Sequence, residues 1–274
     1  MSRRPELLGI VNITEDSFSD GGRYLERSSL ESRIKELCQS GCKILDLGAA
    51  SSNPAANPVE PAVEIQRLEL AFNIIDTLRN RDEIPQNVQV SVDSFKSEVQ
   101  SFALERNVDF LNDITGFSES SFYPTLLNSK SQLILMHSIQ EGIATDVRVS
   151  PDSILDRIAT FFRKRLTQLE NAGIARSRIV LDPGMGFFLG SDPECSYRVL
   201  RNLGFLRKEF DLPLLISVSR KSFLGALVNK PPLDRAAATL SCELYLADQK
   251  VEYIRTHDPA ALMDALIIQN ALRS

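Results

Sequence analysis

Eight short apolar runs, each followed by a longer stretch with helical spacing, recur along the chain, and this alternation constrains the fold more than any other feature. The runs are Leu7–Val11, Lys43–Leu47, Val88–Val92, Asp109–Leu111, Leu133–Met136, Arg178–Leu181, Leu214–Val218 and Val251–Ile254. Several are continuous rather than alternating, as strands read when both faces of a sheet are covered. Helical spacing is clearest in Ser28–Gln39, Glu64–Asn80, Ser97–Arg106, Asp152–Asn171, Tyr197–Glu209 and Pro259–Leu272. Within Asp152–Asn171, the apolar residues Ile154, Ile158, Phe161, Leu166 and Leu169 follow the 3.6-residue period. Ser150 and Pro151 ahead of it offer a cap residue and a proline at the first helical position. Eight strand–helix units leave two α/β architectures, a closed (β/α)8 TIM barrel or an open doubly wound sheet. The length of 274 residues sits near the ~250 typical of the barrel, which is the expectation here. No linker or low-complexity segment divides the sequence, so one domain over residues 1–274 is expected.

Composition narrows the chemistry. There are 31 basic and 36 acidic residues, a net charge of −5, so no basic excess is available to neutralise a nucleic acid. Two histidines and four cysteines offer few zinc ligands, and Cys38, Cys42, Cys195 and Cys242 read as reduced thiols. No stretch approaches the ~18 apolar residues of a membrane span. The opening residues carry only a short apolar run and no small-residue cleavage site, so a cytoplasmic location is expected.

In a barrel, the active site forms at the C-terminal ends of the strands. The residues there are Asn12, the Gly48–Pro54 loop, Asp93, Asn112–Asp113, His137, Asp182, Arg220–Lys221, and Arg255 with His257. Asp93, Asn112, Asp182 and Lys221 suit a flat heterocycle with donor and acceptor edges. Asn12, Arg255 and His257 form a second cluster suited to a phosphate or diphosphate. A heterocycle carrying such a group satisfies both. Gly184-Met-Gly-Phe-Phe-Leu-Gly190 has one residue too many for a dinucleotide fingerprint, and His137 reads at least as well as a packed histidine as a catalytic one.

The strand-end segments, in this order, resemble the dihydropteroate synthase family. They are Gly9-Ile-Val-Asn-Ile-Thr-Glu-Asp-Ser-Phe-Ser-Asp-Gly-Gly22, Val92-Asp-Ser, Leu111-Asn-Asp-Ile, Leu181-Asp-Pro-Gly-Met-Gly-Phe, Val218-Ser-Arg-Lys-Ser-Phe-Leu-Gly225 and Arg255-Thr-His. The resemblance implies a pterin-binding barrel joining 6-hydroxymethyl-7,8-dihydropterin diphosphate to 4-aminobenzoate. It would give Asp93, Asn112, Asp182 and Lys221 the pterin, and Asn12, Arg255 and His257 the diphosphate, with Asn12 also reaching a magnesium ion. Phe18, Ser52, Asn53, Pro54, Phe187, Phe188, Arg220 and Ser222 would border the aminobenzoate pocket. Lys221, Asp20, Arg255 and His257 would act in catalysis, and a homodimer would be the assembly.

The chain departs from the usual family pattern in its loops. Asn53 stands where arginine is common, Glu15 where proline is usual, and the segment after Phe187 is about two residues longer and lacks the customary lysine. These departures resemble the sulfonamide-insensitive, plasmid-borne branch, with Phe188 as a candidate for added bulk. Two alternatives share the barrel: a methyltetrahydrofolate-dependent methyltransferase and a non-catalytic pterin-binding protein.

Overall fold

The computed structural model describes residues 4–13, 22–50, 57–140 and 147–273. Eight strands lie in one parallel sheet: β1 (Glu6–Asn12), β2 (Ile44–Gly48), β3 (Gln89–Asp93), β4 (Phe110–Asp113), β5 (Gln132–Met136), β6 (Ile179–Asp182), β7 (Leu215–Ile216) and β8 (Tyr253–Thr256). Neighbours run β6-β5-β4-β3-β2-β1-β8-β7, and a parallel bridge between Leu181 and Leu214 joins β6 to β7, closing the (β/α)8 barrel. That seam is thin, consisting of the bridge and a bond from the Leu181 N–H to the Pro213 carbonyl at 2.9 Å.

Each expected strand is present, and most extend one or two residues further toward the C-terminus than the apolar runs. Asn12, Gly48, Asp93, Asn112, Asp113 and Asp182 are therefore the last residues of strands rather than the first of loops. The ladder continues through them because it pairs backbone groups, whatever the side chain. β7 is the exception. It shrinks to two residues, and Ser217–Val218 leave the ladder.

The period of two divides the strand residues. One set, including Leu45, Leu47, Val90, Val92, Leu111, Leu133, Leu135 and Ile216, packs outward in the main core. It meets the helices α1 (Gly22–Gln39), α2 (Pro61–Asn80), α3 (Ser97–Glu105), α4 (Tyr123–Asn128) and α5 (Pro151–Asn171), through residues such as Ile34, Leu68, Val99, Leu126 and Ile158. The other set lines the barrel. Leu8, Ile44, Phe110, Ile134, Val180 and Leu215 form an apolar floor with Tyr253 packed against it. Above that floor the interior turns polar.

Two helical expectations change. Tyr197–Glu209 splits into α6 (Pro193–Arg201) and α7 (Leu203–Phe210). The break is Asn202, at φ −121° and ψ 25°, whose side-chain amide donates to the Arg198 carbonyl at 2.7 Å. Asparagine competes in this way with the helical ladder. Ser150 occupies the cap position of α5, but its side chain makes no cap bond; its carbonyl instead accepts from the Ser153 hydroxyl at 3.0 Å. The remaining helices are α8 (Ser222–Val228), α9 (Ala236–Asp248) and α10 (Pro259–Arg273). The four cysteines are free thiols. No helix among the described residues is long and apolar enough to cross a membrane.

Candidate active site

The polar layer above the apolar floor brings together the residues read as heterocycle-binding. Asn112 and Asp182 are buried, at 2% and 3% exposure. The Asn112 Oδ1 has no hydrogen-bond partner among the described residues, an unmet acceptor that a ligand N–H would satisfy. One Asp182 oxygen accepts from the Gly184 N–H at 2.8 Å, and burial pushes this carboxyl up to about 6. Burial pushes the Asp93 carboxyl above its ordinary range too; Arg255 pulls against that shift and Asp46 adds to it. Lys221 is lowered to about 8 by burial and by Arg255, with Asp182 and Asp93 pulling it back.

Asp46 is one of two residues of the site that sequence reasoning missed. It is fully buried on β2, and its Oδ2 accepts from the Arg255 Nε at 2.5 Å, while the Arg255 Nη2 donates to Asp93 at 2.8 Å. The structure thus brings the Arg255 guanidinium to the carboxylates of the heterocycle half. A signal existed in the sequence: a carboxylate amid Ile44-Leu-Asp-Leu47 needs a buried partner, because an unpaired charge is too costly there.

The second half is a cavity of about 310 Å³ lined by Asn12, Arg220 and His257 together with Ser29 and Arg33 of α1. Arg33, also missed, donates to the His257 carbonyl at 2.6 Å and the Ile10 carbonyl at 3.3 Å. His257 is pushed down to about 3, first by burial and then by Arg220, Arg255 and Arg33, so its ring is neutral near pH 7. Its Nδ1 meets the Ser219 hydroxyl at 2.9 Å. Arg220 has φ +60°, a left-handed backbone that costs a side-chain-bearing residue about 1–2 kcal/mol. Strain of this kind persists where surrounding contacts hold it, and here it sets a guanidinium on the cavity wall.

The Gly186–Leu189 turn separates its two phenylalanines. Phe187 is 42% exposed, whereas Phe188 is buried against Ile114 and Met136, with the Lys221 Nζ 4.8 Å from its ring centroid. Ser222 begins α8 directly after Lys221. Gly184 is explained without a nucleotide: it has φ +75°, and a Cβ there would lie 2.4 Å from the His137 carbonyl oxygen. His137 is packed, its Nδ1 3.0 Å from the Pro183 carbonyl and its ring edge-on to Phe161. Phe18, Asp20, Ser52, Asn53 and Pro54 lie outside the described residues.

A buried set of ring-edge donors and acceptors beside a cation-lined cavity, at one mouth of a (β/α)8 barrel, is the arrangement of a pterin-binding enzyme. The chain belongs to that family, described as "Pterin binding enzyme", which matches residues 8–257. Its relatives set it among the dihydropteroate synthases. It is 48% identical to the dihydropteroate synthase type-2 of Escherichia coli, covering 100% of this chain and 98% of the relative. The type-3 enzyme of Escherichia coli is 45% identical over 97% and 99% of the two chains. The structure of Xanthomonas albilineans dihydropteroate synthase with 4-aminobenzoic acid superposes with a TM-score of 0.86 at 29% identity, over 99% and 94% of the chains.

Proposed function

We infer that the chain joins 6-hydroxymethyl-7,8-dihydropterin diphosphate to 4-aminobenzoate, releasing diphosphate, and that it does so with low sensitivity to sulfonamides. The observation that carries the reaction is the adjacency of the two halves: Arg255 and Lys221 lie near enough to the cavity's His257 to act on its ring, so a pterin in the polar barrel layer would extend its substituent toward the 310 Å³ cavity. The C–O bond to diphosphate breaks at the exocyclic methylene, and the aniline lone pair forms the new C–N bond. The proton leaves the nitrogen for diphosphate or solvent. The aniline is already neutral and nucleophilic, so no strong base is needed. The main task is stabilising the departing charge, and this falls to the His257 ring and the Asn12 amide with Arg33 and Arg220. Arg220, expected at the aminobenzoate pocket, lines this cavity, whereas Arg255, expected at the diphosphate, is bonded to carboxylates. Arg255 holds Asp93 and Asp46 on the pterin side. Asp20 remains the proposed first-loop contributor.

Magnesium, when bound, neutralises part of the diphosphate charge. Among the described residues no three His, Cys, Asp or Glu side chains gather as ligands. Asn12 offers one hard oxygen, which fits an ion otherwise held by phosphate oxygens and water. A homodimer is supported by the apolar residues left bare on α8, on the Pro232–Asp234 turn after it and on α10, among them Leu227, Leu233, Ile268 and Leu272, at 61–82% exposure.

Sulfonamide discrimination is assigned to the lengthened Gly186–Leu189 segment and Asn53. A sulfonyl group is tetrahedral and bulkier than a planar carboxylate, so crowding at that end rejects the drug by clash. Phe187 is the solvent-exposed ring and the one free to meet a ligand, and Phe188 holds the segment from within. The test is aminobenzoate-dependent diphosphate release under rising sulfamethoxazole. Turnover should persist in the native chain, and Phe187→Ala and Phe188→Ala should each restore sensitivity. Native inhibition as strong as in an ordinary synthase defeats the resistance reading, and no release at all defeats the enzymatic one.

A further inference from the structure

We propose that Arg235 is a positioning residue of the reaction, its guanidinium holding the Arg220–Lys221 turn from behind so that both cations face the substrate. The proposal rests on the reading that Arg220 and Lys221 bind the diphosphate and the pterin. The turn is closed by the Lys221 N–H donating to the Val218 carbonyl at 3.1 Å, with Arg220 in its left-handed conformation. Such a turn needs outside support to persist in a residue other than glycine.

Arg235 supplies that support with one planar fork. Its Nη1 donates to the Arg220 carbonyl at 2.7 Å and to the Lys221 carbonyl at 3.2 Å, and its Nε donates to the Lys230 carbonyl at 2.9 Å. Thr239 completes the clasp, its Oγ1 accepting from the Arg220 N–H at 3.1 Å. The residue before α8, the second residue past its end and the lead into α9 are thereby tied to one side chain. Gly225, inside α8, fits this arrangement. Glycine weakens a helix, and its φ is not positive here, so backbone freedom does not explain it. Space does: a Cβ at Gly225 would lie 2.2 Å from the Arg235 Cζ. The helix gives up a side chain to admit a guanidinium, which reaches the site only through the backbone of Arg220 and Lys221.

The experiment compares Arg235→Ala, Arg235→Lys and Gly225→Ala with the native chain in aminobenzoate-dependent diphosphate release, with folding followed by circular dichroism. Native turnover is the separate check on the functional reading; its absence overturns that reading and the proposal with it. With native turnover in hand, folded Arg235→Ala should lose on the order of 10²-fold in kcat/KM for the pterin diphosphate, the scale of a small misplacement of binding groups. Millimolar guanidinium should restore part of that loss, while ammonium at the same ionic strength should not. Arg235→Lys should stay impaired because a single ammonium cannot span three carbonyls, and Gly225→Ala should reproduce the defect. Native kcat/KM in folded Arg235→Ala overturns the proposal. So does a loss that follows the unfolded fraction and ignores guanidinium. If Arg235→Ala does not fold, folded Arg235→Lys is judged by the same criteria: impairment with guanidinium rescue supports the proposal, and native kcat/KM overturns it.

Discussion

In the heterocycle half of the barrel mouth, Lys221 and Arg255 sit among the buried carboxylates of Asp46, Asp93 and Asp182; in the anion half, Arg33 is held on the backbone carbonyls of Ile10 and His257 and pairs with the exposed Glu36 at 3.1 Å. The contrast shows two ways to keep a cation inside a protein. Carboxylate partners make deep burial tolerable and largely cancel the charge, leaving a layer that recognises shape and hydrogen bonds. Carbonyl partners fix the side chain, and the one carboxylate beside it, Glu36, is 62% exposed, so water screens that pair. The Arg33 charge is therefore cancelled less than those of Lys221 and Arg255, which suits a diphosphate. The overall charge of −5 describes neither half.

The comparison can be broken most directly at Lys221. Lys221→Ala should lower aminobenzoate-dependent diphosphate release on the order of 10²–10³-fold, and should also weaken binding of the free hydroxymethyl dihydropterin, which lacks the diphosphate. Unchanged affinity for that alcohol would mean Lys221 belongs to the other half. Arg33→Ala should raise KM for the pterin diphosphate by roughly tenfold to a hundredfold, the cost of charge-assisted hydrogen bonds, and leave affinity for the alcohol intact. Equal losses for both ligands in calorimetry would erase the division.

The finest test is pH. On the proposed reading, in which an ionised Asp182 and a protonated Lys221 hold the pterin, kcat/KM for the pterin substrate should be bell-shaped, falling below about 6 and above about 8. The linkage has the same origin. Asp182 is raised above its ordinary value, so between roughly 4 and 6 the folded chain holds a proton the unfolded chain has lost, and this group lowers stability as pH rises through that window. Lys221→Arg should remove the alkaline limb and leave the acid one; a profile that keeps both limbs would assign the alkaline one elsewhere.

Much of the fold was legible in the sequence, because buried parallel strands and amphipathic helices write their periods directly into it. Asn12, Asp93, Asn112 and Asp182 were legible as polar residues ending apolar runs. Arg33 was not, and of Asp46 only the need for a buried partner was; each lies inside an element and takes its meaning from a partner more than 200 residues away, His257 and Arg255 respectively. The helix break at Asn202 and the two-residue β7 were hidden for another reason: a side-chain bond and a lost ladder decide them, and hydropathy records neither. Phe187 and Phe188 read alike as letters and differ only in which way the turn faces them.

The thin seam between β6 and β7 lies between two of the groups that would grip the pterin. Asp182 ends one side of it, and Lys221 follows the other. Where a barrel is joined by one bridge, its hoop is weakest, and a ligand bonded to both sides acts there as a rivet. Substrate would then complete the wall of the vessel that holds it, and product release would return the wall to its weaker state.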